Sequence, residues 1–223
     1  MEQSDLLDHV AEFERVWNDP AYTHSALPPL DVNEVIANSY ETPTPFTMTR
    51  DMLWDMEVRK ARNPAPYLPS VMEPGSVRIW GEQPTGDDGV EVFVRASMQH
   101  PWIGGSEYGL VLEQVRLDPA AQRVTFIGAT QLVDDSGELV KADTLQPLFH
   151  VEHAVAGTDS RPLSLWRVAN LTDARTTREA LTRTFSELAG QPWLYEYIEI
   201  YIRQDLHVDL RRRQLPGIAQ SQD

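Results

Sequence analysis

The segment His150-Val151-Glu152-His153 puts two imidazoles and a carboxylate close together along the chain. Such a group serves a metal ion if its side chains converge, or proton transfer if one of them stands alone in apolar surroundings. Backbone geometry decides between the two. On a helix, His150 and His153 approach each other. On a strand, His150 and Glu152 share one face and His153 takes the other, so the three cannot close on one ion. The spacing also differs from the H-E-x-x-H pattern of metalloproteases. The flanking residues alternate with the period of a strand, so neither a metal site nor a cofactor is expected. His153 is then the candidate general acid or base, because burial and neighbours tune an imidazole near neutrality. A core histidine bonded to a backbone carbonyl or a tyrosine fits the same pattern, and the sequence leaves both open.

A second segment, His100-Pro101-Trp102-Ile103-Gly104-Gly105, reads as a loop between strands. Aromatic and apolar side chains beside paired glycines suit a lid over a pocket. They equally suit a turn with Trp102 packed on a sheet edge. The glycines lack the strand, glycine-rich turn and helix of a phosphate loop. Arg95 and Glu113 point inward only in particular registers, and each then needs a partner.

The elements that would hold these residues follow from periodicity and punctuation. A closing hairpin over 148–156 and 163–170 is expected, turning at 157–162. If Glu152 faces Arg167 across it, His153 faces Trp166, and opposite charges stabilise the ladder. One face then carries Phe149, Val151, His153, Val155, Trp166 and Val168, with His153 as its one ionisable group. The other carries His150, Glu152 and Arg167. Further strands are expected at 77–81, 90–99, 107–117 and 123–133, separated by Asp118-Pro119 and Asp134–Gly137 turns. Residues 52–60 fit both a strand (Trp54, Met56 and Val58 alternate with charges) and a helix, and strand is the reading taken.

Helices are expected at the two ends. One covers 4–18, capped by Ser4 or Asp5, and a short one follows Asp31 as cap. Near the C-terminus, Thr176 and Glu179 offer a capping box, and Gly190 ends that helix. Pro192 can open another, with Leu194, Ile198, Tyr201, Ile202 and Leu206 on one stripe. Arg211-Arg212-Arg213 reads as a helix C-terminus complementing its dipole. Residues 1–213 are taken as one domain and 214–223 as a disordered tail.

The 223 residues carry 34 acidic against 19 basic side chains, a formal net charge of -15, and no cysteine. A surface this negative repels phosphate backbones and anionic membranes, so neither nucleic acid nor membrane is an expected partner. Absence of cysteine excludes disulfides, thiolate metal sites and a cysteine nucleophile, and suits a reducing compartment. No positive-then-apolar leader opens the sequence, and a cytoplasmic location is expected.

Helices, a run of antiparallel strands, then a helical C-terminus: this order resembles the START/Bet v1-like (SRPBCC) helix-grip superfamily. The last third (149–155 and 164–170, then a helix ending Arg203-Gln204-Asp205-Leu206) looks like the closing part of the catalytic domain of Rieske-type oxygenases. The resemblance implies an α+β fold in which a curved antiparallel sheet of about six to eight strands grips a C-terminal helix around an apolar cavity. It carries over no iron chemistry. There is no cysteine for an iron–sulfur cluster, and His9 and His24 flank unrelated helix and loop sequence. The expected partner is a hydrophobic or aromatic small molecule, held by Trp166, Trp102, Tyr201, Phe149 and His100. His153 would transfer protons in a cofactor-independent cyclase, dehydratase or isomerase. A non-catalytic binding protein and an interaction subunit related to an oxygenase are the alternatives, and the oligomeric state is left open.

Overall fold

A computed structural model describes residues 7–85 and 89–214. In chain order its elements are α1 (His9–Trp17), β1 (Thr23–Ala26), β2 (Leu30–Asp31), α2 (Val32–Ser39), β3 (Tyr40–Glu41) and α3 (Arg50–Arg62). Next come β4 (Arg78–Pro84), β5 (Glu91–Gln99), β6 (Gly109–Asp118), β7 (Arg123–Ala129), β8 (Gln131–Val133) and β9 (Leu139–Lys141). The chain closes with β10 (Phe149–Thr158), β11 (Arg161–Asn170), α4 (Arg175–Ala189), α5 (Glu196–Gln204) and β12 (Arg211–Arg212).

Antiparallel pairing joins eight strands into one sheet, in the order β1-β11-β10-β7-β6-β5-β4, with β2 also on β11. The first strand thus lies beside β11, tight turns link β6 to β7 and β10 to β11, and the longer segment between β7 and β10 carries β8 and β9. This is the α+β architecture with an antiparallel sheet that the order of elements predicts. The closing hairpin has the expected register: Glu152 opposes Arg167, and His153 opposes Trp166. The Arg167–Glu152 ion pair spans 2.8 Å.

Helices cover both faces of the central strands. α1 lies over β6, β7 and β10 on the side of His150, Glu152 and Arg167. α3 lies over β7, β10 and β11 on the side of His153. Two-sided cover explains why Phe149 through His153 are all buried, although their sequence alternates as for a strand wet on one face. Glu152 and His150 are accordingly buried among polar partners. Glu152 takes Arg167, and His150 accepts from the Gly128 N–H at 3.2 Å with Glu12 of α1 nearby.

Several expectations are corrected. Residues 52–60 are helical, inside α3, whose N-cap Thr49 accepts from the Met52 N–H. Its buried stripe is Leu53, Met56, Glu57, Lys60 and Ala61, a true helical spacing hidden from an apolar count because two members are charged. At α1 the cap is Asp8, accepting from Ala11; Ser4 and Asp5 lie outside the described residues. The Thr176–Glu179 box does not form, because α4 starts at Arg175 after Ala174 with no side-chain cap. Pro192 lies in the loop before α5, which begins at Glu196. The 123–133 run breaks into β7 and β8, and β8 pairs with β9 in a separate small sheet. Arg211 and Arg212 end no helix; they form β12 against β3, and Arg212 pairs with buried Glu199 at 2.7 Å. The tail expected to be disordered lies, from 215 onward, outside the described residues.

Gly128 marks a close approach of β7 and β10. A Cβ there would collide with the Phe149 carbonyl oxygen, a backbone atom that cannot swing away. Gly128→Ala is therefore expected to lower stability by about 1–3 kcal/mol, read as a lower urea midpoint. A midpoint equal to the parent's would contradict this close approach of β7 and β10.

Candidate functional site

Between the sheet and the layer of α3 and α5 lies a cavity of about 110 Å³. Phe126, Phe149, Val151, His153, Trp166, Trp102 and Tyr197 give it an aromatic and aliphatic wall. Lys60, Arg95 and Glu113 also line it, so one part of an otherwise apolar space is strongly charged.

The charged part is assembled from three directions. Arg95 on β5 and Glu113 on β6 are directly opposed in the ladder and form a buried ion pair, with Nη2 2.5 Å from the carboxylate. Arg95 Nη1 also donates to the Ala61 carbonyl at 2.7 Å. That carbonyl belongs to the last turn of α3, where helical acceptors lack partners and the dipole favours a cation. Arg95 thus pins the end of α3 to the sheet and fixes where Glu57 and Lys60, one turn apart, enter the interior.

Lys60 Nζ sits 2.8 Å from Glu57 Oε2, 3.3 Å from His153 Nδ1 and 3.7 Å above the Tyr197 ring centre. Glu57, Lys60 and His153 are all buried. Burial alone would raise the Glu57 carboxyl, but the Lys60 charge, joined in acid by His153 once it is protonated, more than reverses this and holds it at about 2. The Lys60 ammonium is lowered, by burial first, with Arg95 acting in the same direction and Glu57 against it. Burial likewise lowers His153, aided by Lys60 and Arg95 and opposed by Glu57. His153 is therefore neutral near pH 7. Its Nδ1 can accept from Lys60 or donate to Glu57 (3.6 Å), but not both. The shorter contact, to a group that only donates while charged, favours acceptance. His153 then offers a neutral imidazole stacked on Trp166, ring centres 5.2 Å apart.

The sequence-derived candidates divide. His153, Trp166, Phe149 and Trp102 meet at the cavity, and Trp102 lies 4.6 Å from Phe149 and 5.1 Å from Phe185 of α4 between ring centres. Tyr201 and His100 lie outside it. The Tyr201 hydroxyl donates to Asp55 at 2.8 Å, and His100 stacks on Tyr108. Tyr197, one turn earlier on α5, lines the cavity instead. His153 is the one ionisable group on its face of the closing hairpin, as its register predicts, and Glu57 and Lys60 of α3, Arg95 of β5 and Glu113 of β6 bring further charges to it from other elements. Lys60 and Glu57 were missed because their segment reads as a strand. Arg95 and Glu113 are visible as interior charges once their register is known. His150 and His153 address opposite faces of β10, meeting α1 and α3 respectively.

Three buried histidines set an acid limit. His9, His150 and His153 are each lowered from 6.5, with burial the largest cause. The unfolded chain takes up these protons near that value, whereas the folded chain resists them. Stability is therefore expected to fall as pH drops below about 6.5, toward the lowered folded values, and to be indifferent to these groups above it. Loss of the Glu57 contribution follows only at lower pH, from 4.5 toward about 2. Urea midpoints that stay level from about pH 7 to pH 5 would contradict the burial of these imidazoles.

No family model matches the chain, and no curated relative matches it. Solved structures of similar outline include the ZhuI aromatase/cyclase of Streptomyces sp. R1128, at 14% identity and TM-score 0.47, covering 82% of this chain and 95% of that one. A protein of Thermus thermophilus aligns at 10% identity and TM-score 0.45, covering 83% and 97%. Norcoclaurine synthase of Thalictrum flavum, a point mutant in complex with a transition-state analogue, aligns at 14% and 0.34, covering 77% and 97%. The fold assignment rests on the strand order and helix placement described above.

Proposed function

We propose that the protein binds an apolar or aromatic small molecule in this cavity and performs acid–base chemistry on it, of the cyclase, dehydratase or isomerase kind. The observation that carries this reading is a buried neutral imidazole at the junction of an aromatic wall and a charged pair. A base so placed takes a proton from a bound substrate at Nδ1 once Lys60 turns its hydrogen bond from that atom to the substrate, and the adjoining ammonium stabilises negative charge that develops in a dry setting. The aromatic wall supplies binding and orientation, which convert a flexible substrate into its reactive conformer.

The cavity is smaller than the roughly 150 Å³ that accommodates benzene in an engineered core. A substrate of even one ring therefore requires Trp102 to move. Its loop is suited to that: Gly104 and Gly105 both have positive φ, and apart from ring contacts with Phe149, Trp166 and Phe185, Trp102 makes one hydrogen bond, its backbone N–H donating to Gln146 at 3.1 Å. Titration with naphthalene is expected to quench tryptophan emission saturably, with the response strongly reduced in Trp166→Phe. Absence of saturable quenching would count against a ligand cavity. A binding protein without chemistry would use the same cavity, and His153→Gln separates the two readings.

A further inference from the structure

Among its 19 basic residues the chain has only two lysines, and arginine supplies all the rest. Lys141 is exposed on β9. Lys60 is 3% exposed and lines the cavity. Where this cavity needs a cation for structure, it uses the forked guanidinium of Arg95, fully engaged with Glu113 and the end of α3. Arginine is also the better residue for a buried ion pair. An ammonium differs in one chemical respect: on losing a proton it becomes a nucleophilic amine.

Burial and the Arg95 guanidinium favour that loss, and the Glu57 carboxylate opposes it. From its own helix Glu57 faces Lys60 at 2.8 Å, from β10 His153 Nδ1 at 3.3 Å, and from α5 the Tyr197 ring at 3.7 Å. The Arg95–Glu113 pair on β5 and β6 lines the same cavity. His153 is a neutral acceptor in line to take the proton, and apolar walls and a neighbouring guanidinium disfavour the charged amine.

We propose that Lys60 is an amine nucleophile that forms an imine with the carbonyl carbon of an aromatic aldehyde or ketone held in the cavity. The proposal rests on the cavity reading and names the class of ligand it takes. The ammonium passes one proton to His153 Nδ1. The freed nitrogen pair forms a C–N bond to the carbonyl carbon, and the carbonyl π pair moves to oxygen, which takes one of the two protons left on that nitrogen to give a carbinolamine. His153 gives its proton to that hydroxyl, which leaves as water while the nitrogen forms the C=N bond and passes its remaining proton to the His153 Nδ1 that has just become neutral. One water is produced and nothing is oxidised or reduced.

Lys141 provides an internal control for the test. Full-length protein is incubated at pH 7 with benzaldehyde and then sodium borohydride, whose hydride adds to the imine carbon and fixes a benzyl group on nitrogen. Peptide mass mapping is expected to find the benzyl group on Lys60 in preference to Lys141 by roughly tenfold or more, because the cavity holds the carbonyl beside Lys60 and nothing holds it beside Lys141. Lys60→Arg, which keeps a cation beside Glu57, is expected to melt cooperatively and to lose the cavity label. Binding of benzyl alcohol, similar in size and without a carbonyl, is measured in parallel by calorimetry. If benzyl alcohol binds but the label spreads equally over both lysines, or spares Lys60, the imine proposal is overturned and the cavity reading stands. If benzyl alcohol does not bind and Lys60 is not labelled, the cavity reading falls and this proposal falls with it.

Discussion

Glu57→Gln is expected to destabilise the protein by up to about 3–5 kcal/mol, the usual cost of removing one partner from a buried ion pair, with the loss growing as pH falls and Lys60 is forced to keep its proton. Glu57 is 1% exposed and Lys60 3%, so bulk water cannot rescue the ammonium that is left. Arg95 cannot help, since it adds repulsion rather than a partner. Most of the loss reflects the stranded charge rather than the net worth of the pair. Removing both charges, as in Glu57→Met with Lys60→Met, is therefore expected to recover most of the stability. Urea unfolding of the parent, the single variant and the double variant decides the matter. A single variant within about 1 kcal/mol of the parent would mean that water reaches Lys60, contradicting a dry site.

His153→Gln is expected to carry the largest functional effect. Glutamine keeps a polar group of similar reach but has no basic nitrogen. Loss of a positioned general base typically costs 10²–10⁴ in rate. Exchange of the methyl protons of acetophenone for deuterium in heavy water, followed by NMR, reports proton abstraction next to a carbonyl without requiring the natural substrate. The parent is expected to accelerate this exchange saturably and His153→Gln to lose it by about 10²–10⁴. Equal rates in the two proteins, with acetophenone bound in both, would leave the cavity as a binding site without His153 chemistry.

How much of this was legible beforehand depended on which physical signal each element carries. The closing hairpin was readable to the residue, because Glu152 and Arg167 demand each other and a one-residue slip would send His153 to the opposite face. That register placed His153 beside Trp166, the nucleus of the site. The α3 helix was not readable as such. Its inward stripe spends two positions on Glu57 and Lys60, which weakens the helical apolar pattern while Trp54, Met56 and Val58 imitate a strand. The residues that disguise the element are those that equip the cavity, a conflict between local pattern and fold of the kind expected at functional positions. Tyr201 lies on the apolar stripe that the spacing of α5 predicts, and only its hydrogen bond to Asp55 shows that it is engaged away from the cavity, which Tyr197 lines instead. The cover of α1 over His150 and Glu152 was equally hidden, because a strand pattern does not reveal what lies on its polar face.

The central claim, a ligand-binding cavity with His153 and Trp166 at its heart, is most directly tested by NMR during titration with benzyl alcohol. The His153 imidazole and Trp166 indole resonances, assigned through His153→Gln and Trp166→Phe, are expected to shift together and saturably. His150, on the opposite face of the same strand, is expected to stay in place. Saturable shifts at His150 or elsewhere with His153 and Trp166 unmoved would contradict the account, as would no saturable shift at any concentration.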